Sequence, residues 1–464
     1  MSFVSPEFAL LCLLFFPLYW GLARHAQAQK WLLIVAGYGL YMSWVPAFAL
    51  VLLAYSTAVW ALARWTASRS PIRPAPWALG LWLAGLFLLG VKYYEFLRQT
   101  LLTLGAGLGG WLPLGEWATP VAVSFFTFQA ITYLVAVGRD ELPARSWSDV
   151  VLFLCFWPTL FAGPIWRATD FFAQRDAGVC GQPMQPHRAL YLILLGLLQK
   201  LVLASWLAAQ VVDPVYRLPE QYGGLSVAGA MVGYSLQIFF DFAGYTCIVT
   251  GLGLLLGYRL PENFLQPYLA RNVQEFWTRW HVSLSRFIRD YIYIPMGGNR
   301  RGWARTQWHV LAGMLISGLW HGAQWTFVLW GLLHGLAVVV LHVAQRVGMP
   351  AWPRWLACLL TFTFVTLAWV FFRADDVPQA LQVLSALWPA DGGASQATVP
   401  WLTVLVLLGV LWWFSARAQQ VEAWSVRVMQ EMDVLQLVCA LVLATSVLIA
   451  LGPEGVPSFI YYRF

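Results

Sequence analysis

The amino-acid sequence predicts an all-α, polytopic integral membrane protein, and three features support this: its composition, its long apolar runs and their lack of alternation. Hydrophobic residues make up 60% and charged residues 11% of the 464 positions, with a mean hydropathy of +0.65. A soluble domain of this size could not cover its surface with so few polar side chains. In lipid only helices or closed barrels satisfy the backbone, and these runs are too long for barrel strands.

The predicted helices follow from apolar segments that approach the roughly 20 residues a bilayer core requires. In chain order the segments are centred on residues 8–23, 31–50, 51–64, 77–94, 120–138, 149–164, 188–211, 225–241, 244–257, 307–320, 324–341, 355–372, 400–414 and 436–452. The first lacks the positively charged start of a secretory signal, so we expect it to be retained. Because several segments are short, we expect about eleven full spans plus re-entrant or interfacial helices. We expect them to enclose a tunnel in one domain, residues 1–464.

The positive charge of the chain is concentrated in one connection, residues 258–306. The net charge is +7, and arginines cluster between Arg259 and Arg305. Because positively charged connections stay in the cytoplasm, we expect this one to face that side. Its arginines could only set the membrane topology and contact anionic lipid, or they could bind an anionic substrate. Nucleic acid is not an expected partner, since there is no soluble basic domain to bind it.

Within this connection, apolar residues at three- and four-residue spacing predict one amphipathic helix over residues 272–294. Asn272 followed by Glu275 has a capping-box pattern, and Pro295 marks the end. Tryptophans beside arginines suit a helix at the membrane interface. His281 falls on the apolar side, so we expect it to point inward. The alternative is an interfacial histidine that contacts a lipid headgroup.

His321 requires an explanation because it lies in nearly continuous apolar sequence. An ionisable side chain at membrane depth is costly and is a functional-site candidate by default. Gly318 and Gly322 flank it, and irregular backbone at this depth is tolerated only inside protein or beside a cavity. We therefore expect two helices to meet near His321 and its neutral imidazole to act as a general base. His334 is more typical of a packing or hydrogen-bonding residue.

A second polar group interrupts apolar sequence upstream. Gln237, Asp241 and Tyr245 are spaced by four residues and would share one helix face. A carboxylate in this setting must be paired or line a wet cavity. Asp241 could orient a histidine, hold an arginine, or belong to a purely structural pair.

Other catalytic chemistries lack their sequence motifs. The six cysteines are scattered without a C-x-x-C pair. No metal-ligand spacing, Walker loop or nucleophile elbow occurs. We therefore expect no bound metal or cofactor.

Several of these motifs together resemble the membrane-bound O-acyltransferase family, in particular its bacterial branch that acetylates the exopolysaccharides alginate and cellulose. The similar segments are FxDFxGY at 239–245, ENF at 262–264, QPY at 266–268, FWTRWHVSLS at 276–285, RDY at 289–291, GGNR at 297–300 and GLWHGA at 318–323. Fainter similarity near Pro120, Ser124 and Pro164 extends the resemblance over most of the chain.

The resemblance implies an enzyme that moves an acetyl group from a cytoplasmic thioester, acetyl-CoA, through the bacterial inner membrane. It implies that His321 is catalytic, that His281 is a second required position, and that a periplasmic polysaccharide acetyltransferase is the partner protein. Membrane lipid would surround the enzyme. The side chains expected to contact substrate are Trp280, Trp320, Arg279, Asp241, Gln237, Tyr245 and Asn299.

Two other interpretations stay open at this point. The acceptor could be a lipid or a cell-envelope polymer that receives D-alanine. Alternatively, the chain could be a non-enzymatic subunit that translocates polysaccharide or lipid, since such a protein also needs a polar path through the bilayer.

Overall fold

The structure, a computed structural model, describes residues 3–68, 76–104, 120–178, 181–388 and 398–452. Within those ranges the chain is almost entirely helical. No described residue lies in a β-strand, and an isolated antiparallel bridge joins Phe264 to Trp280. The all-α prediction is therefore confirmed.

Helices follow one another along the chain with short connections. Up to residue 178 they are α1 (Pro6–Gly21), α2 (Ala26–Met42), α3 (Pro46–Ala67), α4 (Pro76–Leu88), α5 (Tyr94–Thr103), α6 (Val123–Gly138), α7 (Trp147–Leu154), α8 (Trp157–Leu160) and α9 (Ala168–Asp176). From residue 186 onward they are α10 (Pro186–Leu197), α11 (Ser205–Leu207), α12 (Asp213–Arg217), α13 (Gly224–Leu255), α14 (Val273–Arg279), α15 (Val282–Ile288), α16 (Trp303–His321), α17 (Trp325–Arg346), α18 (Arg354–Arg373), α19 (Val377–Ser385), α20 (Trp401–Glu431) and α21 (Val434–Leu451). π-Helical turns occur at Leu89–Tyr93, Leu198–Ala204, Ala208–Val212 and Arg289–Tyr293, and 3-10 turns at Pro219–Gln221 and Pro267–Leu269.

The chain is a multi-pass membrane protein. In the described ranges, eight helices are long and apolar enough to cross a membrane: Pro46–Ala67, Ala78–Thr103, Pro186–Arg217, Gly224–Leu255, Trp325–Arg346, Arg354–Arg373, Trp401–Glu431 and Val434–Leu451. Pro6–Gly21 and Val123–Gly138 are shorter apolar helices. The predicted count of about eleven full spans is not confirmed.

Helix α13 corrects one predicted boundary, because the expected segments 225–241 and 244–257 form a single helix. Glycine inside a helix costs about 1 kcal/mol relative to alanine, which favoured a break at Gly244. Close packing offsets that cost: a Cβ at Gly244 would lie 2.9 Å from the carbonyl oxygen of Gly196. In the apolar stretch of α13, 83% of the residues are buried, whereas in that of α21 only 6% are. Helix α13 is therefore a core element, whereas most of the surface of α21 is exposed.

The helices form two compact units. The first comprises the described residues of Met1–Ala189 and Val249–Pro261. In it, Lys30 pairs with Asp149 at 3.2 Å, and the Tyr19 hydroxyl donates to the carbonyl oxygen of Leu256 at 3.1 Å. The first contact joins α2 to α7, and the second joins α1 to the segment that follows α13.

The second unit comprises the described residues of Leu190–Ile248 and Glu262–Phe464. Its helices α16 and α17 pack with their backbones close together. A Cβ at Gly318 would collide with the carbonyl oxygen of Phe327, and one at Gly331 would press on that of Met314. Gly318 thus allows the next helix to approach closely.

Candidate active site

His321 is the last residue of helix α16, and Gly322 then continues in an extended conformation. Helix α17 begins at Trp325, so the predicted meeting of two helices near His321 is confirmed. Only 3% of the surface of His321 is exposed. The imidazole is therefore held at a helix end, inside protein and away from bulk water.

Aromatic rings surround His321. Its ring centroid lies 4.9 Å from that of Trp320, 5.1 Å from Trp330 and 5.0 Å from Phe372. All three contacts are edge-to-face, which is a favourable arrangement for aromatic pairs. This packing restricts the orientation of the imidazole, as a positioned proton acceptor requires.

His281 approaches the same place from the connection before α16. It is 1% exposed, so the prediction that it points inward is correct. Its ring lies 4.7 Å from Phe242 on α13 and 5.7 Å from Trp320. Trp320 therefore contacts both histidine rings and joins them into one cluster.

The predicted single helix over residues 272–294 is wrong, because the chain breaks at Trp280 and His281 between α14 and α15. His281 has a φ of 43°, in the left-handed region. Apolar periodicity continues across the break, so spacing alone could not show it. The start was predicted correctly: the Asn272 side chain accepts from the backbone N–H of Glu275 at 2.8 Å.

His334 is a hydrogen-bonding core residue, as its surroundings in the sequence indicated. It is fully buried, and the indole N–H of Trp277 donates to its Nδ1 at 3.2 Å. The His334 ring also lies 4.9 Å from Trp330, the tryptophan that packs on His321. Helix α14 is thereby tied to α17 beside the histidine cluster.

The polar face of α13 is buried as expected, but the partner of its carboxylate was missed. Gln237, Asp241 and Tyr245 are 8%, 7% and 2% exposed. Asp241 forms an ion pair with Lys200, in the π-helical turn after α10. The signal that could have found this partner is a lysine inside a long apolar run, since such a charge must be paired.

The other predicted substrate contacts lie in different places. Trp280 is buried and stacks on Phe276 with centroids 5.6 Å apart. Arg279 pairs with Glu275 at 2.7 Å on the outer side of α14. Asn299 is exposed in the turn before α16. The structure thus brings Trp320 to the two histidines, while Arg279 and Asn299 lie in outer positions.

A cavity of about 430 Å³ opens beside the histidine cluster. Its walls come from α14, α15, α16, α17 and the π-helical turn at Arg289–Tyr293, and its lining residues are Gln274, Trp277, Thr278, Val282, Ser285, Arg286, Ile288, Arg289, Tyr293, His309, Val310, Gly313, Met314, Ser317, Val338 and His342. Val282 directly follows His281, and Ser317 lies one turn before His321. The cavity is therefore lined by chain neighbours of His281 and His321, and not by the two histidines themselves.

The electrostatics of this cavity suit an anion. The charged side chains that line it are Arg286 and Arg289, with His309 and His342 as further lining residues. Hydrogen bonds from Arg289 to Asp290, at 2.6 and 3.1 Å, raise the pKa of the Arg289 guanidinium. Arg289 therefore keeps its positive charge throughout the physiological range, although its neighbour neutralises part of the field.

Two buried histidines joined by Trp320, near a cavity lined by two arginines, lie in an integral membrane protein. Residues 141–374 match the model of the membrane-bound O-acyltransferase family. The chain belongs to that family and is an O-acyltransferase, which confirms the resemblance seen in its motifs.

Similar proteins include several kinds of acyltransferase. A probable alginate O-acetylase of Pseudomonas aeruginosa is 34% identical, over 84% of this chain and 75% of its own length. A peptidoglycan O-acetyltransferase of Helicobacter pylori is 36% identical, over 59% of this chain and 57% of its own. A teichoic acid D-alanyltransferase of Streptococcus thermophilus is 27% identical, over 54% and 68%. Among the alginate O-acetylase relatives, the part that this chain matches ranges from 54% to 80% of the relative's length.

Proposed function

We propose that this protein transfers an acetyl group from acetyl-CoA toward hydroxyl groups of an exported or cell-wall polysaccharide, with His321 as the general base. The observation that carries the proposal is the position of His321. It ends α16, is 3% exposed, and lies one helical turn from Ser317 in the cavity wall. A buried imidazole beside a substrate-sized cavity is the arrangement that general base catalysis requires.

The proposed reaction is a direct acyl transfer. A nitrogen of His321 takes the proton of the acceptor hydroxyl while that oxygen attacks the thioester carbonyl carbon. The new C–O bond forms, the C–S bond breaks, and the departing thiolate receives the proton from the imidazolium. The protein ends the cycle unchanged, and no atom changes oxidation state.

The cationic cavity is the proposed donor site. Arg286 and Arg289 can hydrogen-bond phosphate oxygens of acetyl-CoA, and charge-assisted bonds of this kind are the strong ones. The apolar wall at Val310 and Met314 can take the pantetheine arm. Because arginine-rich connections face the cytoplasm, this site would open toward the cytoplasmic acetyl-CoA pool in a bacterial inner membrane.

The acceptor side is argued from the relatives. Two of them, at 34% and 36% identity, are named as O-acetylating enzymes, which favours acetyl over the D-alanyl group of the relative at 27% identity. Alginate, cellulose and peptidoglycan are all polymers with free sugar hydroxyls. Because the donor and the exported polymer lie on opposite sides of the membrane, we further propose a periplasmic acetyltransferase partner. A hydroxyl of this partner would be the acceptor in the reaction above, and the partner would pass the acetyl group to the polymer.

The decisive experiment deletes the gene and restores it with the native sequence, with His321→Ala, or with His25→Ala as a matched control at an exposed position. Base-labile acetate and D-alanine on the purified surface polysaccharides are then measured at equal membrane levels of each variant. We expect acetate to return with the native and His25→Ala proteins and not with His321→Ala. Near-normal acetate with His321→Ala would reject the general-base assignment. A change in D-alanine alone would reject acetyl as the group transferred.

A further inference from the structure

The left-handed backbone of His281 needs support from outside its own helix. Such a conformation costs a residue with a side chain about 1–3 kcal/mol and persists only where the surroundings enforce it. Here residues 263–265 run alongside the break. The carbonyl oxygen of Asn263 accepts from Val282 N–H at 3.0 Å, and Leu265 N–H donates to the Arg279 carbonyl oxygen at 2.9 Å. The chain on both sides of His281 is therefore clamped to the segment that contains Asn263.

The side chain of Asn263 also contacts the imidazole of His281. Asn263 is 1% exposed. Its Oδ1 lies 2.9 Å from the hydroxyl and 3.3 Å from the backbone nitrogen of Ser283, and 3.1 Å from Nδ1 of His281. The Oδ1 atom of Asn263 thus contacts both His281, at the break, and Ser283, at the start of α15.

The chemistry of these groups decides which nitrogen of His281 carries the proton. The backbone N–H of Ser283 can only donate, so the amide atom facing it must be the oxygen of Asn263 and not its NH₂ group. An amide oxygen can only accept, so Nδ1 of His281 must be the donor. Burial lowers the pKa of His281 to about 3, which leaves a neutral ring with a single N–H. The lone pair is then on Nε2.

We propose that Asn263 is a positioning residue that selects the Nδ1-protonated tautomer of His281, so that Nε2 carries the lone pair of the ring and accepts a hydrogen bond during acyl transfer, while His321 takes the proton. The functional part of this inference depends on the proposed function, whereas the tautomer itself does not. By the same contact Asn263 holds the ring against Trp320, which packs on His321. The role is one that the ENF motif alone did not reveal.

The first test reads the tautomer directly, by nitrogen NMR of the full-length protein with ¹⁵N-labelled histidine. Subtraction of the His281→Gln spectrum assigns the His281 signals. We expect Nδ1 protonation in the native protein and in Asn263→Asp, whose carboxylate also accepts, and a loss of that preference in Asn263→Ala. An Nε2-protonated His281 in the native protein would overturn the inference, whatever the enzyme is found to transfer.

The second test reads transfer of labelled acetate from acetyl-CoA in membranes. Asn263→Ala should lower the rate by about 10²-fold, the loss that a misplaced group in a reaction centre typically causes. Asn263→Asp should recover much of it, because the acceptor is restored. Full activity in Asn263→Ala despite a changed tautomer would reject the catalytic importance of Asn263. If no variant or native protein transfers acetate while the NMR result stands, it is the proposed function that fails.

The aspartate variant also predicts a shift with pH. A carboxylate beside His281 favours the imidazolium, so the acid limb of the rate profile should move up by about 1–3 pH units. The titratable and charged side chains on the elements packed against His281 are Tyr234, Asp241, Tyr245, Cys247, Glu262, Tyr268, Glu275, Arg279, Arg286, Arg305, His309 and His321, with Lys200 as the partner of Asp241. The matched control is Asn272→Asp, which makes the same substitution at the cap of α14 and leaves all of these groups unchanged. An equal shift in both variants, or in neither, would contradict a direct contact.

Discussion

Breaking the buried ion pair between Lys200 and Asp241 should strongly destabilise the protein. The two side chains are 3% and 10% exposed, so water cannot replace either partner. Removing one member of a buried pair leaves an uncompensated charge and costs about 3–5 kcal/mol. Replacing both by apolar residues of similar volume is often neutral. We therefore expect Lys200→Met and Asp241→Leu each to lose about 3–5 kcal/mol, and the double variant to be close to the native protein.

The assay is thermal unfolding of the purified protein in detergent. The chain has 28 tryptophans, so intrinsic fluorescence gives a strong signal. The matched control is the surface pair of Arg139 and Glu141, 3.9 Å apart with side chains 48% and 51% exposed. There Arg139→Met should cost less than about 1 kcal/mol, because exposed pairs are well solvated.

Two results would refute this reasoning. Single variants as stable as the native protein would show that the charges are solvated, and a double variant as unstable as the singles would show that another property of these residues matters. Acyl transfer measured on the stable double variant then separates the remaining roles. Retained transfer identifies a structural pair, and lost transfer supports the substrate contact that the sequence predicted for Asp241.

Three further predictions concern packing, pH and orientation. Gly318→Ala should cost about 1–3 kcal/mol, because its Cβ collides with a carbonyl of α17. Gly409→Ala, where a Cβ meets no described atom within 4 Å, should be neutral or stabilising; equal effects would contradict the packing argument. Burial lowers the pKa of His281 from 6.5 to about 3, so the unfolded chain binds a proton there that the folded protein excludes. The free energy of unfolding should fall by about 1.4 kcal/mol per pH unit as the pH drops from 6.5 to about 3. His281→Gln should remove this contribution to the pH dependence, and an unchanged pH dependence would contradict the prediction. A cysteine at Arg301 should react with an impermeant thiol reagent only after cells are permeabilised, and labelling of intact cells would reverse the orientation.

Some parts of the candidate site were visible in the sequence because their signals are local. His321 lies between glycines in apolar sequence, and the helices on either side end and begin within four residues of it. Likewise, residues spaced by four share a helix face, so the buried polar side of α13 followed from spacing alone. The cap at Asn272 is also a local pattern of side chain and backbone.

Other parts were hidden because they depend on residues distant in the chain. Lys200 meets Asp241 across 41 positions, and the amide of Asn263 meets His281 across 18. The break at His281 is invisible in the apolar periodicity, since residues on both sides remain buried. The choice of Arg286 and Arg289 over Arg279 as cavity residues depends on how the broken helix turns against α16.

By itself the sequence determined that this protein is a bundle of membrane helices with an ionisable residue buried at His321, because lipid admits only a backbone that satisfies its own hydrogen bonds. It also determined the family, through motifs at fixed spacing. Only the tertiary structure decided which side chains surround that histidine, which nitrogen of His281 faces Asn263, and which cations line the cavity. These are contacts between separate helices, and their geometry follows from packing that no local pattern encodes.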